Sequence, residues 1–154
     1  MIIGKFGSDI AYDDAMDYVA GYAIAMDMVV RGPEDRSFRK SVDSYAVLGP
    51  WLVTADEVGD PHGLTIKTWV NGELRQDSTT DQMTFDCFDL VEILSQAVTL
   101  EPGDVITTGT PYGVGEGFEP KRYLQPGDVV KVEVEKLGFV ENAVIDEPED
   151  SAVI

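Results

Sequence analysis

Residues 18–30 form an apolar run in which Asp27 is the one charged residue between Val19 and Val30. Residues 21–30 are therefore read as a central strand, buried on both faces. Ahead of it, residues 11–19 carry acids in a first turn and set Ala15, Met16 and Val19 on one face, which predicts a short helix. Behind it, Leu48-Gly-Pro-Trp-Leu-Val predicts a second strand over residues 44–53, bent at Gly49-Pro50. Residues 64–70 and 73–77 flank Asn71-Gly72, two residues that accept the positive φ of a type I′ turn, so they predict a hairpin. From Asp86 to Val98, the residues Phe88, Val91, Ile93, Leu94, Ala97 and Val98 recur at helical spacing, with Thr84 or Asp86 as cap.

Two near-repeats follow, Leu100-Glu-Pro-Gly-Asp-Val-Ile and Leu124-Gln-Pro-Gly-Asp-Val-Val. In each, proline presets φ and glycine supplies the positive φ of a turn that should launch a strand. Residues 131–135 alternate charge with valine as a half-exposed strand, and residues 137–145 form another across Gly138. Residues 1–6 read as the end of a strand whose beginning is missing. Residues 146–154 read as an acidic tail. Six to eight strands against two helices make the fold mainly β with a few helices (α+β).

Composition narrows the setting. The 154 residues are 44% hydrophobic and 26% charged, which suits one domain with a core of its own, and no 18-residue apolar span crosses a membrane. No leader pattern opens the chain, and the single cysteine, Cys87, cannot pair internally, so a reducing cytoplasm is expected. Cys87 is read as a small packing residue. With 29 acids against 11 bases the net charge is −18, a field that repels phosphate backbones and anionic lipid and so excludes nucleic acid and membrane partners. An anionic substrate would need local cations to overcome it.

Such cations follow Asp27. A bare carboxylate inside an apolar strand costs several kcal/mol, so Asp27 needs a partner, and Arg31 and Lys40 come next in the chain. One acid with two cations at a strand exit is a grouping from which anion or metal-chelate sites are made. It is equally the makings of an Asp27–Arg31 salt bridge that only pins the strand end. The loop Thr107-Thr-Gly-Thr-Pro-Tyr-Gly-Val-Gly offers hydroxyls and open backbone N–H groups to a carboxylate or phosphate. It is no P-loop, because no Gly-Lys-Ser/Thr follows. His62, the one histidine, has no imidazole or thiol near it in sequence and is read as a surface turn position.

The stretches YVAGYAIAMDMVVR, KSVDSYAVLGPWLVTADEV, LTIKTWVNGELRQD, LSQAVTLEPGDVITTGTPYGVG and YLQPGDVVKVEVEKLG, in that order, resemble the catalytic domain of the fumarylacetoacetate hydrolase family. The resemblance covers residues 2 to about 145. It implies a mixed β-roll, a homodimer, and a divalent metal, Mg²⁺ first with Mn²⁺ or Ca²⁺ as alternatives. It further implies hydrolysis, isomerisation or decarboxylation of small α-keto or enol acids, such as acylpyruvates, fumarylpyruvate, oxaloacetate or 2-hydroxy-diene-dioates. By the same resemblance Asp27 is a metal ligand, Arg31 contacts substrate, Lys40 stabilises the enolate or carboxylate, and Thr110 binds the substrate carboxylate.

Three departures stand out. The family's other two metal ligands are a Glu-x-Glu pair on the strand leading into the segment like Met1-Ile-Ile-Gly-Lys, and they would precede residue 1. The histidine-bearing segment of hydrolytic members is also missing, as is a glutamine after Arg31. The expectation is an N-terminally shortened member whose activity belongs to a longer protein. The alternatives are a noncatalytic subunit or small-acid binding module, and a purely structural β-domain.

Overall fold

The computed structural model describes residues 1–147, so of the tail expected at residues 146–154 only Asp146 and Glu147 fall within it. Seven strands are found among the described residues: β1 (Ile2–Ile3), β2 (Val19–Asp27), β3 (Ala46–Thr54), β4 (Thr65–Val70), β5 (Glu73–Thr79), β6 (Val129–Val134) and β7 (Gly138–Ala143). The α-helices are α1 (Ala55–Val58) and α2 (Cys87–Ala97), and Tyr12–Tyr18 is a 3₁₀ helix where a short helix is expected. The strands form two sheets, ordered β1-β2-β3 and β5-β4-β6-β7, in which each pairing is antiparallel. The mainly β reading holds.

Local chemistry explains most of these elements. Asn71 at φ 51° and Gly72 at φ 78° close the β4–β5 hairpin where the Asn-Gly pair predicts it. Asp86 caps α2 by accepting from the Asp89 backbone N–H, while the Asp89 side chain accepts from Asp86 N, a reciprocal pair that satisfies two otherwise orphaned donors. Of the two Pro-Gly-Asp turns, the second launches β6 as expected. The first is flanked only by isolated bridges, Gly7 with Leu100 before it and Ile2 with Val105 after it. Its segment lies along the two-residue β1, which offers too little ladder for a strand.

The end of β2 differs from expectation, and the bend in β3 takes a specific form. β2 stops at Asp27, three residues short of residue 30, with Asp27 opposite Ala46 on its last rung. The bend expected at Gly49-Pro50 shows as a shift of register, since Tyr22 pairs with Val53 but Ile24 pairs with Gly49. One core joins both sheets and α2: Ile3, Val58 and Val91 are fully enclosed, and Ile24, Met26, Val130, Val132 and Val134 are buried in the same cluster. Trp51 Nε1 donates to the Leu137 carbonyl at 3.1 Å and Lys136 Nζ to the Val58 carbonyl at 2.6 Å, which ties the β6–β7 turn to the first sheet. No helix among the described residues is long and apolar enough to cross a membrane.

The cap of α2 gives a first prediction. Asp86 also accepts from the Tyr12 hydroxyl at 2.9 Å, joining the 3₁₀ helix to α2. Asp86→Ala removes both bonds and should lower the unfolding free energy in urea by about 1–2 kcal/mol, with Asp86→Asn costing less. Equal stability of the alanine variant would show that the cap carries no weight here.

Candidate active site

The end of β2 and the chain that returns to β3 place the first group. Beyond the last rung of the ladder, Met28 N donates to the Tyr45 carbonyl at 3.0 Å and Val30 N to the Arg39 carbonyl at 3.1 Å. These two bonds hold residues 28–30 beside residues 39–45 and leave residues 31–38 as an excursion. The 3₁₀ turn Phe38–Lys40 then delivers Lys40 to Asp27, whose Oδ2 accepts from Lys40 Nζ. Each of the two side chains is 48% exposed.

This corrects the burial expected for Asp27. Side chains alternate along a strand, and with Met26 turned into the core the final residue faces out. Its partner is Lys40, not the Arg31 of the salt-bridge alternative, because the antiparallel return brings position 40 back to the strand end while the chain at 31 is already leaving it. Arg31 instead bears electrostatically on Glu116, from the loop between α2 and β6.

That loop rests on β5. Gln76 Nε2 lies 3.2 Å from Thr110 Oγ1, 2.9 Å from the Pro111 carbonyl and 3.4 Å from the Tyr112 carbonyl. The Tyr112 hydroxyl donates to the Asp77 carbonyl at 3.0 Å. At Gly113 the two backbones are so close that a Cβ would sit 2.0 Å from the Arg75 carbonyl oxygen. Arg122 grips Glu73 with both terminal nitrogens, at 2.8 and 2.7 Å. Arg75 Nε is 3.2 Å from the same carboxylate without hydrogen-bond alignment, so that contact is Coulombic. Arg75 and Arg122 both lie over the Phe118 ring.

Within the loop, Lys121 reaches Glu116 at 2.5 Å and the Tyr123 hydroxyl donates to the same carboxylate. Those two contacts hold the Glu116 carboxyl below the usual range, with Arg31 adding a smaller pull. The structure thus joins Asp27 with Lys40, leaves Arg31 within electrostatic reach of Glu116, and fastens exposed Thr110 to Gln76. Gln76 escapes sequence reasoning because its partners lie 34 to 36 residues away, and Glu116 because, although its hydrogen-bond partners are 5 and 7 residues off, the Arg31 that bears on it comes from the far end of the chain. The only local signal was the glutamine and arginine beside each other on a strand next to a turn.

Neither His62 nor Cys87 belongs to this group. His62 takes more than the surface turn position expected: Nδ1 pairs with Asp60 at 2.8 Å, Nε2 accepts weakly from the Cys87 backbone at 3.4 Å, and the ring stacks on Phe88. It joins its loop to the start of α2. Cys87 is buried, and burial pushes its thiol up to about 11, as suits a packing residue and not a nucleophile.

A metal finds one suitable donor here. Asp27 is a hard oxygen ligand of the kind Mg²⁺ or Mn²⁺ prefers, but among the described residues no group of three or more His, Cys, Asp or Glu side chains is placed to hold an ion. The described residues do not complete a metal site. Surface hollows of about 280 and 250 Å³ lie on the second sheet, lined by residues such as Lys67 and Phe139 or Trp69 and Val129, away from Asp27.

Comparison with known proteins supplies the lineage of this arrangement. The family described as fumarylacetoacetate (FAA) hydrolase C-terminal matches residues 1–145. A maleylpyruvate hydrolase of Aquipseudomonas alcaligenes is 46% identical over 144 residues, covering 94% of this chain and 48% of that protein. A mitochondrial oxaloacetate tautomerase of Rattus norvegicus is 45% identical over 150 residues, covering 94% and 48%. The crystal structure of maleylpyruvate hydrolase from Sphingobium sp. SYK-6, in complex with manganese(II) and pyruvate, superposes with a TM-score of 0.85 at 41% identity, over 94% of this chain and 51% of that one. The chain spans about half the length of the relatives it matches.

The close approach at Gly113 is testable by itself. Gly113 has φ 100°, and its missing Cβ is what lets the loop lie on β5. Gly113→Ala should cost roughly 1–3 kcal/mol and lower the melting temperature by several degrees. Gly117→Ala, with nothing within 4 Å of the added carbon, should change it by less than about one degree. Equal melting of the two variants would mean the loop is not seated as described.

Proposed function

The chain belongs to the fumarylacetoacetate hydrolase family, and from that premise we propose that residues 1–145 are the catalytic domain of an enzyme acting on small α-keto or enol acids. The substrate class includes acylpyruvates, oxaloacetate and 2-hydroxy-diene-dioates, and the enzyme is a cytoplasmic homodimer. The observation that carries this reading is the pairing of Asp27 with Lys40 at the open end of β2, in a chain whose acidic surplus otherwise disfavours anions. A relative acting on maleylpyruvate and another on oxaloacetate support the substrate class.

The reactions of this class share one electronic event. A bond to the carbon beside a carbonyl breaks, and its electron pair moves onto the carbonyl oxygen as an enolate. The Lys40 ammonium has three donors, and Asp27 takes one. Two remain to meet the developing oxyanion, and Asp27 holds the side chain in place while they do. Arg31 and the Thr110 hydroxyl contact the carboxylate of the acid. Asp27 also serves as one oxygen ligand of a divalent cation, Mg²⁺ by its preference for oxygen, the remaining ligands coming from outside the described residues. A noncatalytic small-acid binding subunit is the second reading, favoured by the single metal donor.

Three expected outcomes follow from these roles. In an active, full-length form, Lys40→Met should lower kcat by ~10²–10³ with the fold intact; unchanged turnover would place Lys40 on the surface. Thr110→Val should mainly raise KM, because it removes a contact made in the ground state; a large fall in kcat at constant KM contradicts that role. Residues 1–154 alone should bind Mg²⁺ weakly and turn over little keto acid, and extension upstream through a Glu-x-Glu strand should restore both. Calorimetric titration and a keto-acid assay on the two lengths decide it, and tight binding by the shorter one sinks the reading.

A further inference from the structure

Gln76 sits on β5, and its side chain is directed at one turn of the loop between α2 and β6. Its amide nitrogen faces three oxygens: Thr110 Oγ1 at 3.2 Å, the Pro111 carbonyl at 2.9 Å and the Tyr112 carbonyl at 3.4 Å. The two carbonyls can only accept, so the group that faces them must be the NH₂ and not the amide oxygen. The orientation of the amide is thereby fixed by chemistry. An NH₂ has no lone pair to offer, so Thr110 Oγ1 is the acceptor in its contact with Gln76. A threonine hydroxyl has one proton to give, and here Gln76 does not take it. Thr110 is exposed, and no acceptor for that proton is found among the described residues.

We infer that Gln76 is a positioning residue for the anion site: by donating from Nε2 to Thr110 Oγ1 it leaves the hydroxyl proton directed outward, where a substrate carboxylate can accept it. The inference rests on the reading of Thr110 as a carboxylate contact and adds the group that sets its polarity. A second effect comes from the other two bonds. They hold the Pro111 and Tyr112 carbonyls, the two protons of the NH₂ being shared among the three oxygens, so the turn that carries the hydroxyl is held before the ligand arrives and less freedom is lost on binding. Tyr112 on Asp77 and the close approach of Gly113 to Arg75 hold the same turn from its far side. Gln76 is the only one of these contacts that reaches the hydroxyl.

A double-mutant cycle on pyruvate affinity, measured by calorimetry with the metal-loaded full-length protein, tests this, with melting temperature recorded for each variant. Thr110→Val should weaken pyruvate binding about 10-fold, the loss of roughly one hydrogen bond to a charged group. Gln76→Met, which keeps length and loses the donor, should weaken it by about 5–10-fold. In the Thr110→Val background, the same Gln76→Met change should cost less than about twofold, because both act through one hydroxyl. An undiminished penalty in that background, or no penalty beside an intact Thr110, overturns the inference. If Thr110→Val leaves affinity unchanged, the carboxylate role of Thr110 falls and the inference falls with it. If Thr110→Val weakens binding and Gln76→Met does not, only the inference falls. Should Gln76→Met fail to fold, Gln76→Glu keeps the shape but can only accept, which turns the Thr110 proton inward. That variant must lose more than about 10-fold in pyruvate affinity, and wild-type affinity overturns the proposal.

Discussion

The antiparallel pairing of β2 with β3 is the constraint on which the site depends. Without it Asp27 and Lys40 are 13 residues apart in a polar stretch with little structure of its own. With it, the ladder ends at Asp27 opposite Ala46, and the bonds from Met28 to Tyr45 and from Val30 to Arg39 carry the pairing past its formal end. Those two bonds cost little, because the strands are already aligned, and they convert a long loop into a short return. The ion pair at the end is half-exposed and is worth no more than about 1 kcal/mol to the fold. Its value is positional: an ammonium is delivered to a defined point with two of its three donors free.

The second half of the site is assembled differently. The loop between α2 and β6 has almost no regular structure, yet it is fixed to β5 at intervals, by Gln76 on residues 110–112, by Tyr112 on Asp77, by backbone contact at Gly113 and by the Arg122–Glu73 fork. Each fastener is one or two bonds, and together they leave the loop little freedom. A rigid hairpin thus acts as a platform for a glycine- and hydroxyl-rich segment that could not hold a shape alone.

Much of this was readable beforehand, for reasons that separate by range. The Asn71-Gly72 hairpin, the amphipathic α2 and its Asp86 cap follow from chemistry within a few residues, and the structure has them where expected. Asp27 stands out in the sequence as the odd charge in an apolar run, yet it is half-exposed, because a run of apolar residues does not reveal that the last rung faces solvent. That Lys40 and not Arg31 would meet it depended on the path of residues 31–38, which no local signal encodes. Gln76 was invisible for the same reason: it pairs with positions 34 to 36 residues away, and an isolated glutamine on a strand reads as a surface residue.

The charge balance makes the same geometry chemically selective. Among the described residues, six of the basic side chains are tied to carboxylates: Lys40 to Asp27, Lys67 to Asp77, Arg75 and Arg122 to Glu73, Lys121 to Glu116, and Lys131 to Glu133. In a chain of net charge −18 these pairs use up cations that would otherwise draw in any anion. Arg31 touches its carboxylate neighbour Glu116 only through space, since that group is already held by Lys121 and Tyr123. An incoming anion therefore meets a general repulsion, which the Lys40 ammonium with its spare donors lowers locally at the end of β2. Any attraction of an anion to this point rests on that contrast between the local ammonium and the acidic surface around it, more than on the strength of any one contact.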